Sequence, residues 1–229
     1  MSYHIYTTEG IILKRTPFGE ANVVLHILTD DLGLIIASAR SARLSVSKLR
    51  PALQEYTLVL VSAVKGKNGW KITNVVEKGN FFFQYPKYCH KVLAQISSVL
   101  LQMITGESPH PEIFQTVKSG FQTLGVKGAQ TPSVGRTLNV GEWKTLGVGV
   151  SSLSPSVRMS ELEFVSNFET LMVLRILHEL GYVVSDESTK VFLKDMNDWN
   201  NELLQVVEKN KKNIIGLINK ALKESHLTN

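Results

Sequence analysis

The hydrophobic period of this chain changes once, near Pro86, and that change decides most of what it can fold into. Before it, apolar residues alternate or cluster in short β-branched runs; after it, they recur every three to four residues. Glu9 to Arg15 carries the apolar run Gly10-Ile11-Ile12-Leu13, and Asn22 to Thr29 is rich in β-branched residues between turn formers, so both read as strands. Asp30-Asp31-Leu32-Gly33 supplies turn chemistry before Leu34 to Ala39 extends again, which predicts a hairpin. Ser41 to Pro51 breaks the pattern. Leu53 to Val64 and Trp70 to Val76 resume it around Lys65-Gly66-Lys67-Asn68-Gly69, a tight turn signal. Five strands in about eighty residues fit a small closed barrel better than an open sheet, because closure leaves no unpaired edge.

Beyond Pro86 the pattern is helical. Val92, Ile96, Val99 and Met103 share one face, widened by Leu93, Leu100 and Ile104, and Thr105-Gly106 ends the run. Ser108-Pro109 and Pro111-Glu112 open a second helix with Phe114, Val117, Phe121 and Leu124 as its stripe and Gly125 as its stop. Gly125 to Ser156 is dense in Gly, Ser and Thr without a period and reads as an irregular insertion. A third helix opens at Ser160-Glu161-Leu162-Glu163 and runs to Gly181; a last one, about Met196 to Lys223, carries Met196, Trp199, Leu203, Val207, Ile214, Ile218 and Leu222 on one side. The expected class is α+β. It comprises a barrel over 1–80 and a helical domain over 81–229, with the insertion at about 126–157.

Charge separates the two halves. Residues 1–80 hold ten basic and six acidic side chains, whereas 81–229 hold fifteen and fourteen. Between Arg40 and Lys71, seven cations (Arg40, Arg43, Lys48, Arg50, Lys65, Lys67 and Lys71) stand against a single acid, Glu55. Such a local basic field attracts polyanions, and displacing counterions from phosphates gives nucleic-acid affinity without reading sequence. A solvated basic face, or a face for an acidic protein, is the alternative. Trp70 between Lys67 and Lys71, with Phe18 and Tyr56 in the same barrel, supplies rings on which bases could stack; barrel core is the competing role for each ring.

Chemistry of other kinds has no footing. No G-x-x-x-x-G-K-[ST] occurs, Tyr182 stands where a metalloprotease helix needs its second histidine after His178-Glu179, and there is no G-x-S-x-G elbow. Glu161 and Glu163 lie two apart, on different sides of a helix, and make no acid–base pair. The six histidines have no ligand spacing, and the lone Cys89 can supply neither an intramolecular disulfide nor a zinc cluster. The expectation is therefore a non-enzyme without cofactor or metal. With no basic leader and no run of about 18 apolar residues, it is also expected to be cytoplasmic and away from membranes.

Several ordered segments resemble the bacterial recombination mediator family RecO. They are Thr8-Glu9-Gly10-Ile11-Ile12-Leu13-Lys14-Arg15, Phe18-Gly19-Glu20-Ala21-Asn22, Leu28-Thr29-Asp30-Asp31-Leu32-Gly33, Ala39-Arg40-Ser41-Ala42-Arg43 and Leu49-Arg50-Pro51-Ala52-Leu53-Gln54-Glu55-Tyr56-Thr57. Further on, Leu174-Arg175-Ile176-Leu177-His178-Glu179-Leu180-Gly181-Tyr182 is similar to the family's helix ending in Leu-Gly-Tyr.

The resemblance implies a five-stranded OB-fold barrel followed by a helical domain. It also implies binding of single- and double-stranded DNA, annealing of complementary strands without ATP, and a place at the nucleoid. Its implied partners are RecR and the acidic, apolar C-terminal tail of single-stranded-DNA-binding protein, with RecF as a further candidate. Phosphate contacts would fall to Lys14, Arg15, Arg40, Arg43, Lys48, Arg50, Lys65, Lys67 and Lys71, with Trp70 as a stacking ring; a tail pocket would lie beside Leu174, Leu177 and Leu180 with Arg175 as carboxylate partner. The chain departs from the family in three respects. The four-cysteine zinc module that many members carry after Leu-Gly-Tyr is absent, Lys127 to Ser156 is inserted, and Thr170 and Leu171 stand where an arginine pair is often found. A protein-interaction adaptor, with its barrel on an acidic partner, is the competing expectation.

Overall fold

A computed structural model describes residues 4–67, 69–130 and 161–225. Five strands come first: β1 (Ile5–Phe18), β2 (Asn22–Thr29), β3 (Gly33–Ala39), β4 (Thr57–Gly66) and β5 (Gly69–Asn80). They close in the order β1-β2-β3-β5-β4, antiparallel throughout except for the β3–β5 pair, which is the OB arrangement. Inward positions alternate as a period of two demands: Ile12, Leu25, Ile27, Ile35, Val59 and Val61 are fully buried. Each such side chain contributes about 1.5–3 kcal/mol by leaving water.

The length of β1 lets one strand serve two neighbours. Its first half pairs with β4 from Ile5 to Ile11, and its second half pairs with β2 from Gly10 to Phe18. Within the β2-paired half lies a bulge: Ile12 pairs with Ile27, but the next pair is Lys14 with His26, so Leu13 is extra. Strict alternation from Ile12 would aim Lys14 into the barrel. The extra residue turns it to the outer surface and gives Arg15, opposite Leu25, the inward parity.

Helices follow: α1 (Phe81–Gln84), α2 (Lys87–Met103), α3 (Pro111–Gln130), α4 (Glu161–Glu179), α5 (Lys190–Leu193) and α6 (Asn201–Glu224). They cover one end of the barrel's outer surface, where Ile11, Leu28, Leu34 and Leu58 join a single apolar cluster with α2, α3, α4 and α6. Glu9 in β1 is bridged by Lys118 of α3 and, at 3.6 Å, by Lys78 of β5. Gly33, at φ +70, sits so near the loop before α3 that a Cβ would lie 2.1 Å from the Ser108 carbonyl oxygen. That contact fixes the helical half against the β2–β3 turn.

Several expected boundaries move. The stretch Leu53–Tyr56 is not strand but a cap that closes one end of the barrel with Leu53 and Ala42. Gly125 does not end its helix; a Cβ there would lie 1.8 Å from Cε1 of Tyr85, so its lack of a side chain serves packing and the helix runs on to Gln130. Met196 and Trp199 precede α6, which is capped by Asn200 accepting from the Leu203 N–H at 2.6 Å. Gly181, at φ +80, ends α4 with Tyr182 N–H returning to Leu177 O, as expected of a helix finished by Leu-Gly-Tyr. Of the insertion expected at 126–157, residues 126–130 belong to α3 and the rest lie outside the described residues.

Candidate nucleic-acid interface

The part of the barrel that the helices leave open is the outer surface of β1, β2, β3 and the start of β5. Register lays out its rows. Lys14, His26 and Ile36 stand side by side, and the next row is Thr16, Val24, Ser38 and Lys71. Lys14 and Ile36 are exposed, Lys71 is half-buried, and the Ser38 hydroxyl donates to the Trp70 carbonyl at 3.2 Å across the β3–β5 seam. Burial, reinforced by the neighbouring Lys14 charge, holds the His26 imidazole below its ordinary value, and its Nδ1 is buried with no hydrogen-bond partner.

At one end of this face runs the β3–β4 connection, which carries Arg40, Arg43, Lys48 and Arg50, all exposed. Its backbone is tied down rather than loose. Arg43 N–H donates to Ala21 O at 2.9 Å, Ser41 N–H to Asn22 Oδ1 at 3.0 Å, and the Arg43 guanidinium to Gly19 O at 2.9 Å. Leu53 and Ala42 anchor the same segment in the barrel core. Fixed turns therefore present the four cations, and among the described residues none of them is ion-paired with a carboxylate.

At the other end, the β4–β5 turn carries Lys65 and the exposed Lys67. Lys65 is engaged already: its ammonium donates to Glu107 at 2.6 Å and lies 5.5 Å from the Trp70 ring centre. That hydrogen bond holds the Glu107 carboxyl below its ordinary value. Trp70 corrects an expectation. It is 4% exposed, opposite Ala37 in the barrel core with Tyr6 edge-on at 5.3 Å, so its faces are closed to a base. Inward parity on β5, not the flanking lysines, decides its place.

Arg15 stands apart from the other cations. Its inward parity leaves it half-buried on the wall of a groove of about 400 Å³ shared with Pro17, Gln54, Glu55, Tyr56, Phe82 and Phe83. The Arg15 backbone N–H donates to Glu55 Oε1 at 2.8 Å, while its Nε is buried with no hydrogen-bond partner. Sequence reasoning passed over Phe82 and Phe83. The signal was present: three consecutive phenylalanines at the barrel–helix junction cannot all face one core. Asn80 sorts them by accepting from the Phe83 N–H at 3.0 Å, which sets the turn so that Phe81 packs edge-on against Phe121 while Phe82 and Phe83 face out.

The expected tail pocket on α4 is not there. Leu174 and Leu177 are fully buried in the helical core, and Leu180 packs against it. Arg175, offered as a carboxylate partner, is fully buried and donates instead to four backbone carbonyls: Phe192 at 3.0 Å, Met196 and Asp198 at 2.9 Å, and Asp195 at 2.7 Å. It also stacks on Trp199 at 4.4 Å. Burial lowers its pKa to about 10, against the opposing pull of Asp198 and Asp195. An amphipathic stripe cannot tell a pocket from a core, and here the core claims Leu174, Arg175 and Leu177, with Leu180 packed against it.

Comparison with known proteins bears on the same region. Residues 1–78 match the family model described as Recombination protein O N terminal. A DNA repair protein RecO of Dehalococcoides mccartyi is 31% identical over 122 residues, which is 53% of this chain and 48% of that protein. One from Actinobacillus pleuropneumoniae is 25% identical over 143 residues (62% and 59%), and one from Haemophilus influenzae is 23% identical over 177 residues (77% and 72%). The chain thus spans about half the length of the first two relatives.

Proposed function

We propose that this chain, whose residues 1–78 match the RecO N-terminal family model, is a DNA repair protein of the RecO family, that it binds single- and double-stranded DNA through the barrel's outer cations, and that it anneals complementary strands without ATP. The observation that carries the reading is the β3–β4 connection: Arg40, Arg43, Lys48 and Arg50 are exposed, held on fixed turns, and free of carboxylate partners among the described residues. Lys14, Lys71 and Lys67 extend the same field across the open face and the β4–β5 turn. Lys65 is a weaker member because Glu107 already neutralises it.

The mechanism is electrostatic. Two complementary strands repel through their phosphates; a protein that neutralises phosphates on both while leaving base edges free lowers that repulsion at no chemical cost. No bond is made or broken. The family resemblance adds RecR and the tail of single-stranded-DNA-binding protein as partners, RecF as a further one, and the nucleoid as the place of action. Since the α4 leucines are core, a tail would have to dock elsewhere on the chain.

Fluorescence anisotropy of labelled single-stranded DNA across a salt series, followed by an annealing assay in the same buffers, tests the reading. Submicromolar binding with a clear negative salt slope and ATP-independent annealing is expected. Binding that vanishes near physiological salt, with no annealing, would overturn it in favour of an adaptor whose basic barrel meets an acidic protein.

A further inference from the structure

We propose that the aromatic groove where the barrel meets α1 holds one unstacked base of single-stranded DNA, with Phe83 as the stacking platform and Arg15 and Glu55 facing the base edge. The proposal rests on the DNA-binding reading above and adds a selectivity that the cations alone lack, since a phosphate field does not favour a single strand over a duplex.

The chemistry of the walls selects the occupant. The groove's volume of about 400 Å³ lies within the ~300–1,000 Å³ common for small-ligand sites. Its apolar side is Phe82, Phe83, Tyr56 and Pro17; its polar side is Arg15, Gln54 and Glu55, the Glu55 carboxylate accepting from the Arg15 backbone N–H. A phosphate or a peptide carboxylate entering there would meet the Glu55 charge. A nucleobase does not: it is neutral, flat, and carries donors and acceptors on one edge, so it can use both groups at once. The Arg15 Nε is buried without a hydrogen-bond partner, so the guanidinium of this wall residue has unused donor capacity.

Two further observations point the same way. Phe83 is 75% exposed, and the Asn80 cap that turns it outward is itself buried and built into the barrel, donating to Thr57 Oγ1 at 2.6 Å. Behind it, Phe82 is held edge-on at 5.6 Å and stacked on His90 at 3.8 Å, so the platform has a rigid backing. Tyr56 adopts φ +61, a left-handed conformation unusual for a non-glycine residue. That strained residue stands on the groove wall.

The groove also adjoins the phosphate-binding cations. Gln54, on its wall, donates to the Arg50 carbonyl at 2.6 Å, so a strand with a base in the groove has its backbone beside the Lys48–Arg50 turn. Bases of a duplex are stacked and paired, and cannot enter. The site therefore favours single strands, as aromatic platforms beside basic grooves do in single-strand binders.

The test compares the full-length chain with Phe83→Ala, using a fluorescein-labelled oligo-dT and a labelled duplex of equal length at one salt concentration. Phe83 is exposed enough that its loss should leave the fold intact, checked by circular dichroism and melting. Single-strand affinity is expected to fall roughly five- to hundred-fold, the worth of one stacked base, with duplex affinity and salt slope unchanged and Phe83→Tyr restoring the wild-type value. As a second readout, 5-iododeoxyuridine oligonucleotides should photo-crosslink within Tyr56–Phe83. Equal losses on both DNAs, no loss on either, or crosslinks confined to other segments would overturn the base site while leaving the cationic surface standing. A Phe83→Ala variant that changes sedimentation but not DNA binding would assign the groove to a second copy of the chain instead. A wild-type chain that binds neither DNA would remove the DNA reading and this site together.

Discussion

Arg175 and the arginines of the β3–β4 connection are the same residue put to opposite uses. Arg175 is sealed inside the helical half, where its guanidinium satisfies four carbonyls of the stretch between α5 and α6 and stacks on Trp199. Arg40, Arg43 and Arg50 are exposed at the rim of the barrel on a connection tied down by backbone hydrogen bonds, with no carboxylate partner among the described residues. A buried cation that answers backbone dipoles holds a loop to a helix. Exposed cations without a carboxylate partner among the described residues keep a net positive field, and that field is what a polyanion can use. The difference teaches that charge alone does not mark a binding residue; an unmet charge does.

Removing the buried member should have the largest effect. Arg175→Ala leaves the Phe192, Asp195, Met196 and Asp198 carbonyls without their donor in a closed core and opens a cavity against Trp199. A loss of about 3–5 kcal/mol is expected, measured by urea unfolding, and Arg175→Lys should recover only part of it because an ammonium cannot span four acceptors in that fork. A neutral outcome would mean that the carbonyls find other donors and that the guanidinium is not what holds this loop.

The exposed members should behave in the reverse manner. Arg40→Gln, Arg43→Gln and Arg50→Gln together should leave stability within about 0.5 kcal/mol per site. Affinity for single-stranded DNA should fall, and the slope of log K against log salt should flatten by about 0.7 for each phosphate contact removed. An unchanged slope in the triple variant would mean that these arginines never touch phosphate. The β4–β5 turn sharpens the contrast within one loop: Lys67→Gln should cost more DNA affinity than Lys65→Gln, because the Lys65 charge is already met by Glu107. Equal losses would show that the pair opens on binding.

How much of this was legible beforehand follows the same division. The strand order's ingredients and the long helices were readable because period and turn chemistry are local, and β2 lies where its β-branched run put it, at Asn22–Thr29. The cationic connection was readable too, since arginine and lysine are seldom buried. Arg175 is the exception that pattern cannot see: its burial depends on four carbonyls supplied from residues 17 to 23 positions away in the chain. The β1 bulge is equally invisible. One extra residue, Leu13, swaps the faces of Lys14 and Arg15, sending the first to the open surface and the second to the groove. Trp70 fell to the competing role for a similar reason, because barrel parity outranks charged neighbours.

The smallest expected effect lies between the two uses of charge, at His26. Its imidazole stands beside Lys14 on the open face, and burial together with that cation keeps its folded pKa below the unfolded value. With the folded value depressed, the unfolded chain binds more protons between the two, so His26 contributes stability that is present above about pH 6.5 and is lost as pH falls through the folded pKa. A phosphate laid on Lys14 opposes one of the two causes of the depression, and the bound state then takes up a proton. Affinity for DNA should therefore rise modestly, by no more than a few-fold, as pH is lowered from about 7.5 toward 6, and His26→Gln should flatten that rise without altering the salt slope. The imidazole shift, followed by nuclear magnetic resonance with and without oligonucleotide, should move its midpoint upward on binding. If the midpoint stays in place while the strand is bound, the DNA does not cross the β1–β2–β3 surface, and the cations at the rim of the barrel must hold it alone.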